Sequence, residues 1–554
     1  MALSLAALLL AACIGTEATP TVPIRSATTP TPTPLPPGTT VAARILARGH
    51  LLVGVRYDLR PFGYVTDEGT LAGFDVDLGR EFARRWLGDA TAVQFRQVRS
   101  DTAIEHLQAG DVDMVIAALP HTQDREAGAD FTLPYFTDGE ALLIHAGDAA
   151  AIAGPANLAG IPVGYVSWGD AGDALWAAVT FTPTLRPYDR FDAAVAALGT
   201  GEVAAVADLR SRLFWGMQIQ PGTVIVGQYT AFPLAIAFPQ NDAYFADLVN
   251  LTFQEMLTDG TYARLYEQWF VPEPSPPVER WPGSEVPSLA NAPLTANVPD
   301  TIGAIQARGR LIAAFVADRY PFAYADETGA AEGYEVRLVR RMVERWLGSP
   351  DAVEFVPTTV DTGEAMLRSG QADVLIGGVT HTRAAEMAID FSLTTYETGE
   401  GLLVTQGSPF VDLASLNGQQ IATVTGSTSG DVLLAAARDA GIALTIVPQP
   451  TLDAALASLQ EGQVAAIAGE RADLLRLTRT TPGLTVLPSR LTQVPVALGL
   501  PPGDSAFRDL VNLTLQAMKA DGQFDTIYTA WFDDTPPPFE VWPGAPYRAL
   551  RLAP

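Results

Sequence analysis

One long unit is written twice in this chain, and that repeat limits what the chain can fold into more than any other feature. Arg85-Trp86-Leu87-Gly88 returns as Arg345-Trp346-Leu347-Gly348, and His121-Thr122 returns as His381-Thr382. Asp130-Phe131 returns as Asp390-Phe391, and Val249-Asn250-Leu251-Thr252 as Val511-Asn512-Leu513-Thr514. Trp269-Phe270 returns as Trp531-Phe532, and even Trp281-Pro282-Gly283 returns as Trp542-Pro543-Gly544. The offset is 260–262 residues, and six of the nine tryptophans pair in this way. Solenoid repeats run to only ~20–50 residues, so each copy is a whole folded unit. The stretch 271–299 is rich in Pro, Ser and Ala, as expected of a linker between such units.

Each copy alternates strand and helix patterns. Leu51–Val55 and Leu311–Val316 read as short apolar strands. Leu78, Phe82 and Trp86 stand at i, i+4 and i+8 on one helical face, and Leu338, Met342 and Trp346 copy it. Further strands are expected over 113–117, 161–166 and 203–207, with counterparts over 373–377, 421–424 and 464–468. Helices are expected over 193–198 and 454–459. Such alternation implies parallel sheets covered by helices, an α/β class. A unit of this length can form two lobes. Ligands of such sheets sit at strand C-terminal ends, in a cleft between lobes.

Composition removes several function classes. The net charge is −27, which argues against nucleic acid, whose phosphates need a basic face. A single cysteine leaves neither an intrachain disulfide nor a Cys-based zinc site. Lys519 is the only lysine, so no P-loop is present. The five histidines are scattered, and no HExxH-type metal site exists. No metal or other cofactor is expected.

The first forty residues read as an address and a tether. Ala2 to Ala12 is apolar but too short to span a bilayer as a helix, which takes ~20 residues. It ends Leu10-Ala11-Ala12-Cys13, which resembles a bacterial lipoprotein signal with Cys13 as the lipidated residue, although a basic n-region is missing. The alternative is that Cys13 is an ordinary residue of an apolar segment. The Thr/Pro-rich run from Thr16 to Thr40 fits an extended linker.

A family resemblance rests on a series of short motifs in order. They are Val53-Gly54-Val55, Pro61-Phe62, Gly73-Phe74-Asp75-Val76-Asp77-Leu78, Gly110-Asp111-Val112-Asp113, Thr122-Gln123-Asp124-Arg125 and Asp130-Phe131-Thr132-Leu133-Pro134-Tyr135. The series continues through Asn157-Leu158-Ala159-Gly160 and Asp259-Gly260 to Trp269-Phe270, and recurs in the second copy. It resembles the family 3 extracellular solute-binding proteins, the amino-acid receptors of ATP-binding-cassette importers. The resemblance implies a periplasmic-binding-protein-like (type II) fold, with two hinged lobes per unit and two units in tandem. The expected layout is a signal over 1–12 and a linker over 13–40. Unit 1 spans 41–270, with lobe A at 44–141 plus 236–270 and lobe B at 146–231. A linker covers 271–299. Unit 2 spans 300–532, with lobe A at 304–402 plus 497–532 and lobe B at 406–493. A Pro-rich tail covers 533–554. Hinges are expected near 142–145 and 232–237, and near 402–405 and 494–498.

The resemblance also nominates site residues. An amino-acid carboxylate calls for a bidentate arginine and backbone N–H groups, and the ammonium calls for a carboxylate. In unit 1, Arg125 and Thr122 match the family's carboxylate clamp; the alternative for Arg125 is a surface ion pair. Leu119 and Ser167 belong to the same set of loop positions, and Asp170 stands where a Gly-Ser-Thr turn is usual, as an acid that repels a carboxylate. In unit 2 the loop carries Thr380 and Thr382, but Ala385 takes the arginine position, leaving Arg383 either to reach in from another angle or to stay solvated. Ser427 and Thr428 keep the Gly-Ser-Thr turn. Asp208 and Glu470 lie at or near the family's ammonium-binding acid, or else cap helices. Asp58 and Asp318 point to the cleft in the family, while Phe62 and Phe322 are either cleft or core residues. His121 and His381 are expected to face the lobe. The Asn-Leu-Thr triplets at Asn250 and Asn512 are glycosylation sequons by form, and read as packing or capping residues.

The implied function is a membrane-tethered, extracytoplasmic receptor that captures an amino acid or similar polar solute and passes it to an importer permease. A sensor feeding a signalling partner and a dehydratase-type cleft enzyme are the alternatives. No nucleophile–base pair is visible for the last.

Overall fold

The computed structural model describes residues 38–167, 171–270, 277–532, 536, 537 and 542. The proposed lipidation site Cys13 and Asp170 lie outside them. Among the described residues, no helix is long and apolar enough to cross a membrane.

Each unit contains two five-stranded sheets, and the two units repeat them strand for strand. The first sheet runs Val93–Gln97, Leu51–Val55, Met114–Val115, Ala237–Phe238, Asp130–Phe131. Its first three strands are parallel, while Ala237–Phe238 is antiparallel to both neighbours. The second sheet runs Thr184–Tyr188, Pro162–Val166, Ala205–Leu209, Glu140–His145, Thr223–Val226. Unit 2 repeats the first order as Val353–Thr358, Leu311–Val316, Val374–Ile376, Gly499–Leu500, Asp390–Phe391. Its other sheet is Thr445–Gln449, Gln420–Val424, Ala466–Glu470, Glu400–Thr405, Leu484–Val486. These are the two-lobed α/β units that the resemblance implies. The strands expected over 203–207 and 464–468 are shifted two residues onward, to Ala205–Leu209 and Ala466–Glu470.

Two chain crossings join the lobes. Phe136–Asp138 pairs antiparallel with Phe232–Leu234, and Tyr396–Thr398 pairs with Val494–Val496. The segment 142–145, expected near a hinge, instead lies inside the second lobe's sheet, paired on both sides. Its run of buried apolar residues suits a central strand better than an exposed crossing.

The Gly-Phe-Asp motif has a steric basis. Gly73 precedes helix Phe74–Leu87 at φ 138°, a backbone conformation that L side chains rarely adopt. A Cβ there would strike the Phe62 carbonyl, and Gly333 stands in the same relation to Phe322. This close approach seats Phe74 and Asp75 in the core, both fully buried. Trp86 and Trp346 pin the other end of the helix, where each indole N–H donates to a mid-helix threonine, Thr252 or Thr514, at 2.8 Å. The threonines of the two Asn-Leu-Thr triplets are thus interior packing residues.

Residues beyond each unit fold back onto the body. Val278 packs on the first core and Leu289 is buried within it. Trp281 anchors by donating its backbone N–H to Gln254 Oε1 at 2.9 Å, and Trp542 does the same to Gln516 at 2.8 Å.

Candidate functional site

In each unit the C-terminal ends of the parallel strands converge on the chain crossings, and this convergence defines the cleft. In unit 1, Asp58 is exposed on the short strand Asp58–Leu59 and accepts from Arg56 Nε at 2.8 Å and Nη2 at 3.1 Å. The bonds from Arg56 hold the Asp58 carboxyl below the usual range, and Arg212 of the second lobe adds to the effect. Asp58 and Arg212 therefore face each other across the lobes. Arg60 also bridges them: its guanidinium lies 4.1 Å from the ring centre of Tyr64 and 4.6 Å from that of Trp215. On the second lobe, Asp208 is buried near the end of its strand and accepts from Arg212 Nη1 at 3.2 Å. Burial raises the Asp208 carboxyl, and Arg212 opposes the rise.

Other nominated residues of unit 1 are placed differently. Phe62 is fully buried, with its ring 5.2 Å from Phe136 and 5.5 Å from Phe270, and Leu119 is fully buried in a neighbouring core. Both are core residues, because a fully apolar side chain gains more from packing than from a wet cleft wall. Arg125 donates to the Pro120 carbonyl at 2.7 Å and to Ser100 Oγ at 3.0 Å, so its fork is engaged within its own lobe. Thr122 Oγ1 beside it is buried without a hydrogen-bond partner. Ser167 is exposed at the end of strand Pro162–Val166, with its N–H donated to the Tyr188 carbonyl.

The cleft of unit 2 also carries paired acids. Glu400 and Glu470 are cross-strand neighbours on two interior strands of the second lobe's sheet. Glu470 caps helix Arg471–Thr480 by accepting from Asp473 N at 3.1 Å, and it also accepts from Thr398 Oγ1 of the crossing strand. Burial pushes its carboxyl up to about 7. Glu400 Oε1 accepts from Thr428 Oγ1 at 3.4 Å, while Oε2 is buried without a hydrogen-bond partner. Ser427 Oγ donates to the Val424 carbonyl within its own turn. On the opposing lobe, Asp318 is exposed on strand Asp318–Arg319, and Thr380 bridges to Val496. Thr382 caps the short helix Arg383–Glu386. Phe322 is another core residue, 5.2 Å from Tyr396.

Arg383 does not enter this cleft and is not solvated. It is 3% exposed, and its Nη2 donates to the Gln254 carbonyl at 2.7 Å and Thr258 Oγ1 at 2.6 Å, both in unit 1. A cavity of about 1010 Å³ also lies between the units, bounded by Trp281, Trp542, His121, His381 and Arg508. It is an interface space, walled by the chain segments that follow each unit and by the crossing strands, through Thr137, Pro233, Glu397 and Pro495. Among the described residues no cluster of His, Cys, Asp and Glu suits a metal ion.

The model of the bacterial extracellular solute-binding proteins, family 3, matches residues 51–272 and again 311–534. The chain belongs to that family. One relative is the "ABC transporter glutamine-binding protein GlnH" of Bacillus subtilis (strain 168), 28% identical over 236 residues, covering 42% of this chain and 85% of the relative. Another is the "Glutamate/glutamine/aspartate/asparagine-binding protein BztA" of Rhodobacter capsulatus. It is 29% identical over 251 residues, covering 43% of this chain and 72% of that one. Among solved structures, "An ancestral arginine-binding protein bound to glutamine" is 32% identical, covers 40% of this chain and 98% of its own, and gives a TM-score of 0.33.

Four residues of this tandem solute-binding protein were not foreseen from sequence: Arg60, Arg212 and Trp215 in unit 1, and Glu400 in unit 2. Arg212 had a legible signal, one helical turn beyond Asp208. Glu400 had a signal in the repeat, where Gly139-Glu140 returns as Gly399-Glu400, but its approach to the cleft depends on strand pairing with Glu470.

Proposed function

We propose that this protein is a membrane-tethered, extracytoplasmic receptor that captures amino acids or similar small polar solutes for an ATP-binding-cassette importer. The observation that carries the reading is the family match in both copies, each spanning two lobes joined by paired crossing strands. Names of the relatives support amino acids as the ligand class. In unit 1 the ligand lies between Asp58 and the Thr122–Arg125 loop on one lobe and Ser167 and Asp208 on the other. In unit 2 it lies among Asp318, Thr380 and Thr382, and opposite Ser427, Thr428 and Glu470. The acid pair Glu400 and Glu470 favours a ligand ammonium in unit 2, while Ala385 removes the arginine that would hold its carboxylate. The two clefts therefore take different ligands.

Calorimetric titration of the full chain with the twenty amino acids and simple amines tests the reading. Binding with two distinguishable stoichiometric sites is the expected result, and absence of any binding overturns it. For the tether, Cys13→Ser should move the protein from the membrane fraction to the soluble fraction.

A further inference from the structure

The two units meet through their first lobes, and the centre of that contact is a pool of acid. Six carboxylates gather there: Glu126, Asp130, Asp247, Glu386, Asp390 and Asp509. Arg508 lies among them, with Nη2 2.7 Å from Asp130 Oδ2 of unit 1 and Nη1 3.2 Å from Asp390 Oδ2 of its own unit. At an offset of 262, its counterpart in unit 1 is Ala246, so one guanidinium serves both halves. Ser505 Oγ also donates to Asp130 at 2.8 Å, and Gln240 Nε2 donates to Asp509 at 3.2 Å.

These groups cannot all be ionised. Glu126 and Asp509 oppose each other across the contact, and Gln240 Nε2 donates to both segments, to the Glu126 carbonyl at 2.8 Å and to Asp509 Oδ2 at 3.2 Å. Asp247 faces Glu386 and Asp390 in the matching position. Histidines complete the pair of loops, with His121 against Glu126 and His381 against Glu386. Around the rim, Arg125 lies near His121, while Asp242 at the start of the Asp247 helix is bonded to the Val41 N–H and feels Arg44. Among the described residues, none of these flanking groups brings a second guanidinium into contact with Asp247 or Asp509. Two like charges held this close resist joint ionisation, so the docked form retains protons that a separated form would release.

We propose that this shared, acid-rich contact is a proton-dependent clamp, which holds the two binding units together at mildly acidic pH and loosens as the medium becomes alkaline. The sign follows from linkage. Burial and neighbouring acids push Glu126 up to about 8 and Asp390 up to about 7. Stability from groups raised in this way is present at low pH and is lost as pH rises through those values.

Hydrogen exchange on the full chain tests the proposal, with rates corrected for the intrinsic effect of pH. Protection of segments 240–250 and 503–512 should fall about tenfold or more between pH 6 and 9, since one unit of pKa shift is a tenfold effect. Helices Phe191–Thr200 and Leu452–Gln460 of the second lobes serve as the internal reference and should hold steady. The Asp247→Asn, Asp509→Asn double variant should keep its protection across the range. Arg508→Ala, which copies unit 1, removes the charge that holds these acids down, so the decline should extend to higher pH. Should the double variant not fold, Glu126→Gln carries the same expectation. A contact whose protection is flat from pH 6 to 9, or falls in step with the second lobes, overturns the clamp. So does a decline that persists unchanged in the neutralised variants.

Discussion

Trp281 stacks on His381 with ring centres 3.9 Å apart, and so ties the end of unit 1 to the candidate ligand loop of unit 2. Trp542 returns the contact on His121 at the same 3.9 Å. Each histidine is in turn stacked on a phenylalanine, Phe391 or Phe131. Each donates its backbone N–H to a proline carbonyl of a crossing strand, Pro495 or Pro233. The exchange is reciprocal, as at an isologous contact.

Removal of one of these indoles should be costly. Trp542 is 7% exposed, so Trp542→Ala leaves a void over His121 and should destabilise the protein by about 3 kcal/mol. Thermal unfolding of the full chain reads this directly, and an unchanged midpoint would deny the contact any energetic weight.

The two threonine–indole bonds should differ in strength. Trp346 is 1% exposed, so Thr514→Val leaves a buried N–H without a partner, a loss of about 1–3 kcal/mol. Trp86 is half-buried, and water can replace the hydroxyl in Thr252→Val. Denaturant titration of both variants should rank Thr514→Val as the more damaging.

Asp75 should make stability depend on pH. It is fully buried, accepts from Ala118 N at 2.7 Å and Tyr135 OH at 3.0 Å, and is pushed up to about 7 by burial. Its folded value exceeds the unfolded 3.8, so its contribution is complete below pH 3.8 and is lost as pH rises to about 7. The slope contributed is at most ~1.4 kcal/mol per pH unit. In Asp75→Asn that part of the decline should vanish from urea melts measured between pH 4 and 8.

Ligand capture by unit 2 should weaken in acid. Glu470 is pushed up to about 7 by burial, so it becomes neutral below that pH and can no longer balance an ammonium. Affinity for a cationic ligand should fall about tenfold between pH 8 and 6. Glu470→Gln should bind weakly at both pH values. Calorimetry at the two pH values decides, and an equal slope in the variant would remove Glu470 from the site.

The repeat and the α/β alternation were legible because both are written in local sequence. Trp86 and Trp346 announce the same helical face, and Gly73 and Gly333 the same close approach. Site residues were harder. Phe62 follows a proline next to cleft positions, yet its ring points into the core, a choice set by Phe136 and Phe270, which are distant in sequence. Arg383 sits in the right loop, but its destination depends on a carbonyl and a hydroxyl of the other unit. The two tail tryptophans, Trp281 and Trp542, were visible as a repeat. Their exchange between units was not, since periodicity within a chain says nothing of which copy a segment returns to.

Arg508 makes the tandem arrangement irreplaceable by either half. A homodimer of unit 1 would bring two copies of Ala246 to the centre and leave its acids with no guanidinium. A homodimer of unit 2 would bring two arginines, each meant to fill the place between one pair of carboxylates. Covalent fusion guarantees one arginine per contact, because it makes the two partners unequal while keeping them at fixed stoichiometry.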